Sequence, residues 1–207
     1  MSDADRRPEL ETVTSHDDVA GLGVPVDIDE IEATITVERE ALTALIWAPA
    51  DLTTAVVHAL VGDVGARDGP GVIASSAPLF YLPDHGAVFA RIIDSVDAGA
   101  PLAPGDLASA FAVTETTAGF RNLLMELASP NPAGPWPLPT DADLPRLALA
   151  VVDQWHRRGY RALLDRMGTV LVTERSDDLG PHWEALSRHQ RSAEKTRDAV
   201  RAALAAL

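Results

Sequence analysis

The chain has 207 residues, of which 46% are hydrophobic and 5% aromatic, and its formal net charge at pH 7 is −14. It contains no cysteine, so disulfides, thiolate metal sites and a cysteine nucleophile are excluded. No apolar run is long enough to span a bilayer, and we therefore expect a soluble, cytoplasmic protein of one domain, or of one domain and a smaller subdomain.

The negative charge is concentrated in the first two thirds of the chain. Residues 1–40 have a net charge of −9 and residues 41–135 one of −6, whereas residues 136–207 have a net charge of +1. An acidic surface repels a phosphate backbone. We therefore expect no general binding of nucleic acid, and only the C-terminal third could contact DNA.

Three segments precede the C-terminal part of the chain. Residues 1–34 are rich in Asp, Glu and Pro, lack a sustained apolar period and are predicted to be an acidic, disordered tail. Residues 35–129 are predicted to form a bundle of five short helices, the first of which begins near Thr36. Residues 130–140 are predicted to be a Pro-rich hinge, because proline removes a hydrogen-bond donor and fixes φ.

Residues 141–207 are predicted to be two long helices joined by a short break at residues 176–181. Apolar residues recur at near-heptad spacing in both helices, which is typical of an antiparallel helical hairpin. The predicted fold is therefore all-α, a small helical bundle plus a C-terminal antiparallel helical hairpin. Because two helices alone bury little apolar surface, we expect a homo-oligomer that forms through the hairpin.

The most distinctive segment is an aromatic pair, a proline turn and a histidine that together open an amphipathic helix. Its marked positions are Phe80, Tyr81, Pro83, His85 and Phe89. A histidine at the start of a helix is a candidate catalytic group. It is more simply explained as a structural residue that packs under the aromatic pair and bonds a nearby carbonyl group. We therefore predict a structural role for all five residues.

This order of residues resembles the F-Y-x-P-x-H-x-x-[IV]-F segment of the N-terminal domain of bacterial replicative DNA helicases, the DnaB family. The family's Glu-x-x-(V/A)-L helix, Gly-x-Pro-(V/L) turn, aromatic-leucine helix before a Pro-rich break, and paired basic residues have counterparts at residues 38–42, 99–102, 119–132 and 157–158, respectively. The resemblance covers about residues 36–205. The chain departs from the family in a longer loop before Phe80 and in a single glycine, Gly119, where the family has two.

The resemblance implies a free-standing relative of that domain that lacks the ATPase domain. The sequence has no Walker A motif, and its histidines do not show the spacing of a metal site. We therefore predict no enzymatic activity, no cofactor and no metal. The family's partners imply that this chain binds primase, a helicase loader or the helicase ring itself in DNA replication.

A dimer or partner surface is predicted on the hairpin. Its candidate residues are Trp155, Arg157, Arg158, Arg161, Trp183 and Leu186. The two tryptophans lie on the apolar helix faces, which favours hairpin core or dimer interface over base stacking. The arginines are either a solvated face paired with neighbouring acids or a docking surface for an acidic protein, and the first interpretation is favoured.

Four alternatives stay open at this point. The chain could be the N-terminal fragment of a full helicase, or the helicase-binding domain of a primase, which has a similar bundle-plus-hairpin layout. It could also be an accessory protein that contacts DNA through the hairpin arginines. An enzyme with carboxylates assembled in the loop at residues 62–79 is the fourth, but no constellation in the sequence supports it.

Overall fold

The structure, a computed structural model, describes residues 28–67, 69–75, 77–112, 117–130 and 140–207. Within these ranges all regular structure is helical, which confirms the all-α prediction. The α-helices are α1 (Ile28–Trp47), α2 (Ala50–Val61), α3 (Pro83–Asp97), α4 (Leu107–Ala110), α5 (Ala118–Ala128), α6 (Leu144–Thr173) and α7 (Leu179–Ala205). Short 3₁₀ turns precede α4, α6 and α7.

Helix α1 begins at Ile28, eight residues before the predicted start at Thr36. Residues 28–34 are therefore helical, and the prediction of a tail that extends to residue 34 was wrong for them. Packing explains the difference, because α1 lies along α6 and Arg161 Nη2 is 2.9 Å from Glu30 Oε2. The rest of the predicted tail, residues 1–27, lies outside the described residues.

The long connection between α2 and α3 returns to the core. Ile73 is buried, and its main-chain N–H donates to the carbonyl oxygen of Leu60 over 2.8 Å. Pro83 is the first residue of α3, where its missing N–H costs nothing. Gly99 follows the end of α3 with a φ of +71°, a left-handed conformation that a side chain would strain.

The chain enters α6 through a capping box. The main-chain N–H and the hydroxyl of Thr140 donate to Asp143 Oδ2 over 3.0 and 2.7 Å. These hydrogen bonds, together with the nearby Arg146, lower the pKa of Asp143 to about 2. The predicted hinge at residues 131–139 lies outside the described residues.

Helices α6 and α7 pack against each other along their length, which confirms the predicted hairpin. The half of the hairpin nearest the bundle is not a separate unit, because α6 also packs on α1 and α7 on α2. Seven of its buried side chains belong to the same apolar core as the bundle: Leu144, Leu147, Ala148, Val151, Val152, Val200 and Leu204. Between Arg157 and Ala199, which we call the distal hairpin, only Val170 is buried.

Candidate functional site

The distinctive Phe80–Phe89 segment lies where α1, α3 and α6 meet. Phe80 and Phe89 are buried, and their ring centroids are 5.1 Å apart. Tyr81 is partly exposed, whereas His85, in the first turn of α3, is buried. The two phenylalanines therefore fix the start of α3 against the core, as expected of structural residues.

His85 is paired with a buried carboxylate from α1. The Glu38 side chain is completely buried, and its Oε2 lies 2.9 Å from His85 Nδ1. The main-chain N–H of Tyr81 donates to Glu38 Oε1, and that of Leu82 lies 3.4 Å from Oε2. The expected partner of His85 was a carbonyl group, and this expectation was wrong, because the Glu38 carboxylate occupies that position.

Arg158, on α6, completes this arrangement. Its Nη1 lies 3.6 Å from Glu38 Oε1, and its Nη2 donates to the carbonyl oxygens of Leu79 and, over 3.4 Å, Pro78. Burial lowers the pKa of the Arg158 guanidinium, and the Glu38 carboxylate acts in the opposite direction. We refer to Glu38, His85 and Arg158 as the Glu38 cluster.

The Glu38 cluster joins three parts of the chain that are distant in sequence. Its carboxylate accepts from main-chain N–H groups, a histidine and an arginine, so that the buried charge is both hydrogen-bonded and paired. The Glu38 and His85 side chains are 0% and 4% exposed, which leaves no room for a substrate beside them. The geometry therefore suits a structural lock between α1, α3 and α6 better than a reacting centre.

The sequence contained a signal for Glu38 that was not used. Glu38 was noted only as part of a helix pattern. It lies one turn before Leu42 and two turns before Leu45, on the apolar stripe of α1, where an acidic residue is out of place. A carboxylate at such a position needs a buried partner.

The six predicted surface residues of the hairpin occupy different environments. Trp155 is half-buried and packs against the core, and Leu186 is half-buried as well. Arg158 belongs to the Glu38 cluster, and Arg161 forms an ion pair with Glu30. Arg157 is exposed, and Trp183 is 59% exposed. Only the last two present most of their side chain to solvent.

An apolar strip runs along one side of the distal hairpin. On α6 it consists of Tyr160, Leu164, Met167 and Leu171, which recur at helical spacing. On α7 it contains Trp183, which lies two turns from Gln190 on the same face, and the Gln190 side-chain amide donates to the hydroxyl of Tyr160. The two helices therefore contribute to the same side. All five strip residues are exposed or half-buried.

His156 lies at the base of the distal hairpin, buried between α6 and α7. Its Nδ1 is 3.4 Å from Arg197 Nη1, its ring centroid is 4.9 Å from that of Tyr160, and its Nε2 has no hydrogen-bond partner within the described residues. Burial, and next the charge of Arg197, lower the pKa of His156, whereas Glu194, Asp153 and Asp198 act in the opposite direction. The folded state therefore favours the neutral imidazole.

We expect acidification to weaken the hairpin through His156. The lowered pKa means that the unfolded chain binds the proton more readily than the folded one, so this contribution to stability is complete above pH 6.5 and is lost as the pH falls below it. Thermal unfolding between pH 7.5 and 5.5 should therefore show a smaller loss of Tm for His156→Phe than for the wild type. The exposed His189 provides the control, and a His189→Phe variant should retain the wild-type slope. Equal slopes for wild type and His156→Phe would contradict this assignment.

Other kinds of site were sought among the described residues. No group of three or more His, Asp or Glu side chains there is arranged to hold a metal ion. None of the described helices combines the length and apolarity needed to cross a membrane. Compared with models of known protein families, with curated proteins and with solved structures, the chain shows no significant match.

Proposed function

We propose that this chain is a non-catalytic protein-interaction and oligomerisation module that associates through its distal hairpin. The observation on which the proposal rests is the apolar strip of Tyr160, Leu164, Met167, Leu171 and Trp183. Contiguous exposed apolar surface bounded by polar residues is typical of interaction sites. A second copy of the chain is the partner that this surface fits most directly.

The geometry of the strip supports a symmetric pairing of hairpins. Its four α6 residues span three helical turns, which is about 17 Å at the rise of an α-helix. Two antiparallel hairpins that face each other over such strips form a four-helix bundle, and an isologous contact of this kind closes without leaving a free surface. The proximal half of the hairpin is already covered by the bundle, so it has no need of a partner.

The proposed biological role is in DNA replication, in the cytoplasm, with primase, a helicase loader or the helicase ring as partner. This part of the proposal rests on the resemblance to the N-terminal domain of replicative helicases. Three segments quoted for that resemblance supply Glu38, His85 and Arg158, which contact one another. A shared cluster gives a physical reason why these residues would occur together in one fold.

A DNA-contacting role through the hairpin arginines is a weaker candidate. Several of these arginines are committed to neighbouring acids, as in the pairs Arg201–Asp153 (3.1 Å) and Arg197–Asp198 (3.0 Å). Phosphate contacts need uncommitted cations, and the net charge of −14 opposes approach of a phosphate backbone. An N-terminal fragment of a helicase and a primase-type helicase-binding domain are compatible with the same interaction surface.

Self-association is tested by placing charge on the strip. We expect the wild type to form a dimer or larger assembly in sedimentation velocity, and the double variant Leu164→Asp, Trp183→Asp to sediment as a monomer with an unchanged helical circular dichroism spectrum. Val172 is 85% exposed and outside the strip, so Val172→Asp is the matched control and should leave the assembly intact. A wild type that stays monomeric at high concentration would overturn the proposal.

The partner is tested separately with purified primase, helicase loader and replicative helicase of the source organism. We expect at least one of them to bind the wild type at low salt in a pull-down. The unfolded-state control is a heat-denatured sample of the same chain, which should capture nothing. If none of the three proteins binds while the hairpin still self-associates, the replication role fails and the oligomerisation module remains.

A further inference from the structure

A surface cleft of about 360 Å³ lies between the first turns of α1 and the middle of α6. Its walls include Glu30 and Ile31 from α1, Tyr81 from the Phe80–Phe89 segment, and Gln154, Arg157 and Arg161 from α6. It is distinct from the apolar strip, since none of the strip residues lines it. Its chemistry is mainly that of a cationic site with an apolar floor.

The cations of the cleft differ in how far they are already paired. Arg158 is committed to Glu38 and to main-chain carbonyl groups. Arg161 holds the carboxylate of Glu30 at 2.9 Å, and that carboxylate is itself 40% exposed. Within the described residues, no carboxylate lies within ion-pair distance of Arg157. Arg157 and Arg161 are one helical turn apart, so a single carboxylate can reach both.

Glu30 indicates what the cleft accepts. Its carboxylate forms a charge-assisted hydrogen bond with a guanidinium, the geometry in which arginine recognises acidic side chains. An incoming carboxylate would compete with Glu30 for Arg161 and gain Arg157 in addition. Glu30 is therefore an internal competitor for the site.

The remaining walls favour a peptide over a free anion. The exposed ring of Tyr81 and the half-buried Ile31 offer an apolar contact beside the arginines. The side-chain oxygen of Gln154 is buried and accepts no hydrogen bond from the described residues, so the cleft lacks an N–H donor. A peptide segment with an acidic and an apolar side chain supplies the carboxylate, the apolar group and main-chain N–H groups together.

We infer that this cleft binds an acidic peptide segment of a partner protein, in which a Glu or Asp carboxylate bridges Arg157 and Arg161 and a neighbouring apolar side chain rests on Tyr81. A nucleic acid fits less well, because Glu30 and Asp165 also line the cleft and repel successive phosphates. The inference extends the proposed function by naming the chemistry of a partner. It uses other residues than the strip, so either can fail without the other.

The test is fluorescence anisotropy of the full chain with a fluorescein-labelled octapeptide of alternating glutamate and leucine. We expect binding that weakens with salt, and no binding of the same peptide with glutamine in place of glutamate. Arg157→Gln should weaken the affinity about three- to tenfold, as expected for loss of a partly solvated ion pair. Arg166 is exposed and does not line the cleft, so Arg166→Gln is the matched control and should bind like the wild type.

Glu30 provides a test of opposite sign. Glu30→Gln removes the internal competitor and should strengthen binding several-fold, whereas Glu32→Gln, an exposed position on the same helix outside the cleft, should not. The inference is overturned if the acidic peptide does not bind at millimolar concentration, or if Arg157→Gln and Arg166→Gln bind equally well. It is also overturned if inorganic phosphate or a single-stranded oligonucleotide displaces the peptide more effectively than free glutamate-containing peptide does.

Discussion

Replacing Glu38 by alanine is expected to lower the free energy of unfolding by about 3–5 kcal/mol, the usual cost of breaking a buried ion pair from one side. The substitution removes the acceptor of the Tyr81 main-chain N–H and the partner of His85 and Arg158. These donors would stay buried without compensation, which costs more than the loss of the contacts themselves. Since small domains are stable by only about 5–15 kcal/mol, the variant should be close to unfolding. Urea denaturation followed by circular dichroism measures the effect.

The matched control is Glu32→Ala, which removes the same charge from an exposed position of the same helix. Its effect should stay within about 0.5 kcal/mol, as for most surface substitutions. A double-mutant cycle of Glu38→Ala with Arg158→Met should show strong coupling, because each residue pairs the charge of the other. If Glu38→Ala cost no more than Glu32→Ala, the Glu38 cluster could not be a structural lock.

The fold could be predicted from the sequence where the apolar period is strong. The α6–α7 hairpin and the position of α3 followed from the recurrence of apolar residues and from the proline and glycine that bound the helices. The start of α1 was missed because residues 28–35 are rich in acids and show no strong period of their own. Their helical state depends on α6, which lies more than a hundred residues away in the chain and contacts Glu30 through Arg161.

The independence of the hairpin was the second limit. Sequence periodicity gives the faces of a helix but not the element that each face contacts. The apolar residues of proximal α6 looked like the seam of a lone hairpin, whereas the structure packs many of them on α1. The expectation that a hairpin needs a partner therefore applies to its distal half only.

The candidate site could be predicted only in part for a similar reason. The sequence singled out His85, because an aromatic pair and a proline mark the start of its helix. Its partner Glu38 lies 47 residues earlier, and a pairing over that distance is set by the tertiary fold. The resemblance to the helicase domain stays a prediction, but it did direct attention to each of the three segments that meet in the Glu38 cluster.

Replacing Leu144 by alanine should destabilise the whole chain, although Leu144 belongs to the hairpin and not to the bundle. Its side chain is completely buried in the core that α1–α7 share, so the cavity should cost about 2–5 kcal/mol. Since the hairpin and the bundle share this core, they should unfold in one transition whose midpoint moves to lower urea concentration. Circular dichroism and the loss of resistance to limited proteolysis should report the same midpoint.

Leu164→Ala is the matched control for this prediction, because it makes the same change on the same helix at a side chain that is 47% exposed. Its effect on the free energy of unfolding should be about 0.5 kcal/mol in dilute solution, where the strip is uncovered. At concentrations that favour assembly the cost should rise, since burial between two copies adds to the stability of the folded state. A Leu144→Ala variant that unfolds in two separate steps, with the bundle at its wild-type midpoint, would mean that the hairpin and the bundle are independent after all.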